Sequence, residues 1–309
     1  MNSNHNPKTM LDDTRLFIKR LGAFFIKIVQ GYFYTPEKYF ESIDTAQNSH
    51  SNTTANNSWD IYTSKIKEEM RRSPFSFLRE ETISRTVHPY ENQLADAYLT
   101  EMSESSFCRQ SILPRLTDSP FGTPWQCLSF PHASPVSVQH AYYCWLMKMN
   151  MGLFIPDNKV KRVVEFGGGY GNFYRLMRLW GYEGKYSIID LPIMHSLQQT
   201  YLRGASGQHV SQNAIYTALE DKTVWEGEEP SCFMATFSLN ETTLETRDAV
   251  KEHLNSFSYI FIAYNSSFDG VENVTYFSEL TDYLKESFSI TTFKDPHRRA
   301  WFLMGYKHA

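Results

Sequence analysis

Cysteine is scarce and badly placed for cross-linking: Cys108, Cys127, Cys144 and Cys232 are the only four in 309 residues, with no C-x-x-C pair among them. That excludes a disulfide-stapled scaffold and zinc-ligand spacing, and most of the four sit among apolar neighbours. They read as reduced thiols of a cytosolic protein. The N-terminal stretch is polar and lacks a short apolar core followed by a cleavage site, so no secretory signal is expected. Positive charge is not in excess: the formal net charge is −4, which argues against nucleic acid as the main partner. An internal repeat is also missing. What remains is a chain with 41% hydrophobic residues, enough for a sizeable core in one large domain or one domain plus a cap.

The most informative stretch is Val163-Val164-Glu165-Phe166-Gly167-Gly168-Gly169-Tyr170-Gly171. Its first four residues read as a short, fully buried strand. The alternate glycines Gly167, Gly169 and Gly171, with Gly168 between them, predict a loop where a ligand lies against bare backbone. From Asn172 to Trp180 the apolar spacing becomes helical. A second strand, 185–189, then ends at Asp190. Strand, glycine loop, helix, strand and terminal acid form one βαβ half of a nucleotide-binding sheet.

The dinucleotide pattern G-x-G-x-x-G is not met, because Asn172 and Tyr174 stand where its last glycine would fall. Instead an acid, Glu165, precedes the first glycine by two positions. A carboxylate there repels phosphate but suits the ammonium and sulfonium of S-adenosylmethionine. Asp190 at the second strand's tip is expected to accept hydrogen bonds from both ribose hydroxyls. The expected cofactor-binding residues are therefore Glu165, Gly167, Gly168, Gly169, Gly171 and Asp190.

Glu165 to Gly171, followed by Ile189-Asp190-Leu191-Pro192, resembles the family of bacterial sugar O-methyltransferases. Phe237-Ser238-Leu239-Asn240-Glu241, Tyr264-Asn265 with Gly270 and Asn273, and Pro296-His297 with Gly305-Tyr306-Lys307 extend the likeness over roughly the last 180 residues. The resemblance implies a class I methyltransferase fold and a sugar hydroxyl as acceptor, on a nucleotide sugar or a lipid-linked surface glycan. An aromatic or peptide-derived acceptor is the rival enzymatic reading. A non-catalytic protein of the same fold that recruits partners to a membrane is the third.

Along the chain, residues 1–14 are expected to lack order. A helix over 16–34 carries a wide apolar arc with Lys19, Arg20 and Lys27 opposite. It spans roughly 28 Å, but its charges argue against crossing a bilayer. It packs either on the catalytic domain or a dimer partner, or on an anionic membrane surface, which would place the protein at the inner face of the cytoplasmic membrane. Residues 1–40 carry a net charge of +3 and the remainder −7. The segment 45–58 is a polar linker. Helical spacing resumes over 59–72, and proline-broken short helices follow to 130. The expected division is therefore 1–58, a helical cap at 59–133, and the methyltransferase domain at 134–309.

A helix capped by Ser134 or Ser137 runs to Met149, and its His140 and Tyr143 are candidates to face the ligands. After a helix opened by Pro192, strands are expected at 209–216, 232–237, 259–264, 290–293 and 300–306, with helices at 242–257 and 274–288 between them. The sum is a doubly wound, seven-stranded sheet with helices on both faces.

Ligands in such sheets bind beyond the carboxyl ends of the strands, at the switch in strand order. Glu241, just past the fourth strand, is the first candidate for the base that takes the acceptor proton; a carboxylate that merely favours a helix start is the alternative. His297, on the terminal hairpin, is the second. Asn240, Asn265, Asn273 and His140 are the candidate acceptor-binding residues. Glu220-Asp221 reads as solvated loop acids, with a contact to an adenine amino group as the alternative. Metal ligands are not expected, since only Glu241 follows the fourth strand where a carboxylate cluster would be needed.

Overall fold

The computed structural model describes residues 57–227 and 229–308. The helix expected at 16–34 and most of the polar linker lie outside the described residues. Among the described residues, the α-helices that precede the sheet are α1 (Asn57–Arg72), α2 (Glu81–Thr86), α3 (Asn92–Glu104) and α4 (Pro135–Met151). Ser134 caps α4 by accepting from the Ser137 amide at 3.3 Å, Pro135 occupies the first turn, and Gly152 ends the helix at φ 64°.

The sheet then follows as β1 (Arg162–Phe166), α5 (Asn172–Trp180), β2 (Lys185–Ile189), α6 (Pro192–Ser206), α7 (Gln208–Gln212), β3 (Ala214–Thr217), β4 (Ser231–Thr236), α8 (Leu244–Leu254) and β5 (Tyr259–Asn265). A small hairpin, β6 (Ser267–Phe268) and β7 (Val271–Glu272), precedes α9 (Val274–Leu284), β8 (Phe288–Lys294) and β9 (Ala300–Lys307). The seven-stranded sheet has the order β3-β2-β1-β4-β5-β9-β8. Strands β1 to β5 are parallel, and β9 runs against both β5 and β8. It is the doubly wound, Rossmann-like sheet expected of a methyltransferase fold. The order reverses between β1 and β4, and that is where a crevice must open.

Alternate strand residues serve two cores. Val163, Tyr186, Cys232, Met234, Phe261 and Phe302 face the helices α1 to α6, while Val164, Phe233, Ile260, Ile262 and Leu303 face α8 and α9. Residues 66–133 share the first of these cores with α4, α5 and α6. All four cysteines are buried and unbridged. Among the described residues, no helix is long and apolar enough to cross a membrane.

Two local expectations are corrected. The strand expected at 209–216 is the helix α7 followed by the shorter β3. As the sheet edge, β3 buries only Ala214 and Thr217 and leaves Ile215 half exposed, too little for a strand pattern to register. The β6–β7 hairpin was not anticipated, although Asp269-Gly270, both at positive φ, is a standard two-residue hairpin signal.

Candidate active site

The carboxyl ends of β1 to β5 open into one cavity of about 580 Å³, a size suited to a cofactor with a small second ligand. Helices α1 and α4 and the segment after α2 form its roof through Trp59, His140, Tyr143 and Val87. The glycine loop and Asp190 stand on the β1–β2 side, Glu241 and Asn265 on the β4–β5 side.

The loop is held by its own amides. Gly167 N donates to Ile189 O at 2.8 Å, and Gly171 N to Gly168 O at 2.8 Å. Gly167 sits at φ 73°, and a Cβ there would lie 2.2 Å from the Ser238 Cβ. At Gly168 a Cβ would lie 2.6 Å from Ile188. So at these two positions protein neighbours, not only a ligand, demand glycine. Gly169 has no such neighbour and lines the cavity, whereas Gly171 caps α5 at φ 88° and does not line it. Gly167→Ala should therefore destabilise the protein by at least about 2 kcal/mol, from positive-φ strain and overlap. Urea denaturation reads this directly; a loss under about 0.5 kcal/mol would show that Ser238 moves aside at little cost.

Asp190 is more occupied than the sequence suggests. Its Oδ2 accepts from Gly168 N at 2.9 Å and Gln198 Nε2 at 2.7 Å, and its Oδ1 from Leu191 N at 2.9 Å. A carboxylate offers about four acceptor sites. With three filled by the protein, Asp190 keeps one acceptor site for a further partner. Burial pushes Asp190 up to about 7, against those three hydrogen bonds. Glu165 is buried and takes a 2.9 Å bond from Tyr186 Oη. Burial raises it to about 8; the Tyr186 bond opposes the shift, and the charge of Asp190 adds to it.

Glu241 lines the same cavity, and Trp59 Nε1 donates to its Oε2 at 3.1 Å, across 182 positions of sequence. Burial lifts Glu241 to about 7, and the Trp59 bond pulls the other way. His140 Nδ1 lies 3.3 Å from the Asn172 amide nitrogen, so Nδ1 accepts and the proton is assigned to Nε2. Burial, with the charges of Arg175 and His88, drives His140 down to about 3. It is a fixed neutral hydrogen-bonding group, not a proton shuttle.

Three other expected residues lie elsewhere. His297 does not line the cavity: its Nε2 meets Glu101 Oε1 at 2.5 Å, because α3 passes beneath the β8–β9 hairpin and fastens it there. The next residue, Arg298, enters the cavity instead. Asn240 is wholly buried off the cavity, its carbonyl accepting from Arg247 Nη2 at 2.7 Å. Asn273 is also buried, and its Nδ2 donates to Asn265 O at 3.0 Å, so it buttresses the cavity-lining Asn265. Glu220 lines the cavity, while Asp221 is taken up by Thr217 and Thr223.

Trp59, Phe237 and Arg298 were missed as lining residues. Trp59 offered only an apolar helix position, and Arg298 only its place beside His297.

Neither a protein-family model nor a curated protein matches the chain. The resemblance to sugar O-methyltransferases thus has no family match behind it. Solved structures of similar backbone include an O-methyltransferase family protein from Burkholderia thailandensis, at 11% identity and TM-score 0.41 over 80% of this chain and 72% of that one. The methyltransferase domain of bacterial CtHen1 gives 8% identity and TM-score 0.40, over 54% and 97%. Precorrin-6y C5,15-methyltransferase from Geobacter metallireducens gives 13% and 0.33, over 48% and 79%. Likeness this loose says nothing about a substrate, and the fold assignment rests on the strand order.

Proposed function

We propose that this chain is an S-adenosylmethionine-dependent methyltransferase that methylates a hydroxyl oxygen, with a sugar of a bacterial surface glycan or its precursor as acceptor. The observation that carries it is one cavity at the switch in strand order, with the glycine loop and Asp190 on one side and a raised carboxyl, Glu241, on the other. The chemistry of the residues fits the cofactor. Glu165 and Asp190 are carboxyls whose charge is disfavoured by burial, and a cationic ligand relieves that.

When bound, S-adenosylmethionine supplies a methyl group on a positively charged sulfur. Glu241 takes the acceptor's proton on Oε1, because Trp59 occupies Oε2. Asn265 and the Nε2 of His140 offer hydrogen bonds to acceptor hydroxyls. Trp59, Tyr143 and Phe237 supply flat apolar walls that exclude water and limit rotation of the acceptor, and such orientation can lower a barrier by about 7–11 kcal/mol.

Those same walls favour a second reading, an aromatic acceptor, since only one of the three asparagines expected to read a sugar reaches the cavity. Assays with glycan and phenolic acceptors side by side separate the two.

Calorimetric titration tests the cofactor. S-adenosylmethionine should bind and NAD should not; the reverse would end this reading. The affinity should also depend on pH. A cation favours the ionised forms of Glu165 and Asp190, so binding releases protons and weakens as pH falls through about 8 and 7. Between pH 7.5 and pH 6 the affinity should drop at least about threefold. A flat profile would mean that neither acid meets the cation.

A further inference from the structure

Arg298 is a charged group in the cavity that the proposed reaction does not use. It stands between β8 and β9, and its guanidinium lies 4.3 Å from the centroid of the Phe237 ring, just past β4. Glu91 Oε2 is 3.7 Å from its Nη1, too far for a hydrogen bond. Among the described residues no side-chain hydrogen bond is made by this guanidinium, although it has five N–H donors. Glu91 is itself half exposed and solvated, so it competes weakly. A guanidinium held over an aromatic ring is restrained, and its planar set of N–H donors matches a carboxylate or phosphate.

Away from Arg298 the cavity wall is acidic: Glu165 and Asp190 line the β1–β2 side, Glu220 follows β3 and Glu241 follows β4. Glu91 lines the cavity beside Arg298, while the other lining arginine, Arg85, is exposed and paired with Glu81. In the ionised forms that a bound cation favours, Glu165, Asp190 and Glu241 repel an anionic group, which is drawn to Arg298 instead. We infer that the acceptor carries a carboxylate or phosphate, which Arg298 binds so that a neighbouring hydroxyl is turned toward Glu241. This rests on the methyltransferase reading, and it narrows the acceptor to acidic compounds such as a uronic acid or a sugar phosphate. Arg298 is thereby a specificity-determining residue.

The test uses protein saturated with S-adenosylhomocysteine and titrated with charged and neutral twins: glucuronate and glucose 1-phosphate against glucose, and 4-hydroxybenzoate against phenol. At least one charged member should bind tenfold or more tighter than its neutral twin. Arg298→Gln should bring the pair within about twofold, and Arg298→Lys should keep part of the preference. S-adenosylhomocysteine affinity should be unchanged in both variants, which also shows that they fold.

Equal binding of the twins, no binding by any of the five, or a preference that survives Arg298→Gln would overturn the inference. So would a fall in S-adenosylhomocysteine affinity in the variants, which would assign Arg298 to the cofactor's own carboxylate. The outcomes also separate the two readings. Tight binding of glucose equal to glucuronate leaves the sugar acceptor standing and removes the anion. A preference confined to 4-hydroxybenzoate keeps the anion and removes the sugar. Failure to bind S-adenosylhomocysteine at all removes the methyltransferase reading itself.

Discussion

Glu241→Gln should lower turnover by about 10²–10⁴-fold while leaving S-adenosylmethionine affinity within about threefold, the range expected when a positioned base is lost. The substitution is nearly isosteric, and its amide oxygen can still accept from Trp59 Nε1, so the wall that Trp59 forms should survive. What disappears is the ability to take a proton. In the native protein that ability depends on ionisation. Burial places Glu241 at about 7, so activity should fall as pH drops through that value, because the protonated acid cannot act as a base. The variant should lack this limb altogether. A pH–rate profile of kcat/KM for the acceptor on both proteins, with S-adenosylmethionine kept saturating so that Glu165 and Asp190 add no limb of their own, is the measurement. If Glu241→Gln keeps native turnover, or keeps the limb, the base lies elsewhere and Glu241 only anchors Trp59.

The second large effect concerns stability. Asp118, in the helical region before the sheet, pairs with Arg175 of α5 at 3.1 Å, with both side chains almost wholly buried. Its Oδ2 also accepts from the Ser134 amide at 2.5 Å, and its Oδ1 from the Ser137 hydroxyl. Arg175 in turn donates to Asn172 Oδ1 and Thr117 O, each at 2.9 Å. The pair therefore joins the N-terminal helices to the helix that follows the glycine loop. Asp118→Ala leaves a buried guanidinium without its counter-charge and the α4 cap without its acceptor. Losing one partner of a buried pair costs about 3–5 kcal/mol. Urea denaturation should show that loss as a lower midpoint with a similar slope. The double variant with Arg175→Met should recover part of it, since no unpaired charge is then buried. A loss below about 1 kcal/mol would mean that water reaches Arg175 once the carboxylate is gone.

The two predictions differ in how far the sequence foresaw them. Glu241 was marked by its place just past a buried strand, because strand ends are set by short-range patterns. Asp118 carried no such mark. It sits in an irregular stretch between prolines, and its importance depends on Arg175, 57 positions away. The same distinction separates Asn265 from Asn240 and Asn273. All three lie near strand ends in the sequence, but α8 and α9 draw the latter two into the protein interior. His297 and Arg298 are adjacent on one hairpin, and the passage of α3 decides that the histidine meets Glu101 while the arginine reaches the cavity.

The sheet apart from its edge strand β3, the βαβ start, the glycine loop and the acids at the ends of β1 and β2 are legible in the chain alone. Apolar runs, helical spacing and glycines at positive φ are governed by sterics and burial among near neighbours, so they can be read locally. That Asp190 braces the loop through three hydrogen bonds, that Trp59 holds Glu241, and that Arg298 rather than His297 lines the cavity emerges only once the chain is folded. Each of those outcomes is a choice of hydrogen-bond or packing partner. Several of the choices fall between segments far apart in the chain, and such a choice is made only when burial removes water as the alternative partner.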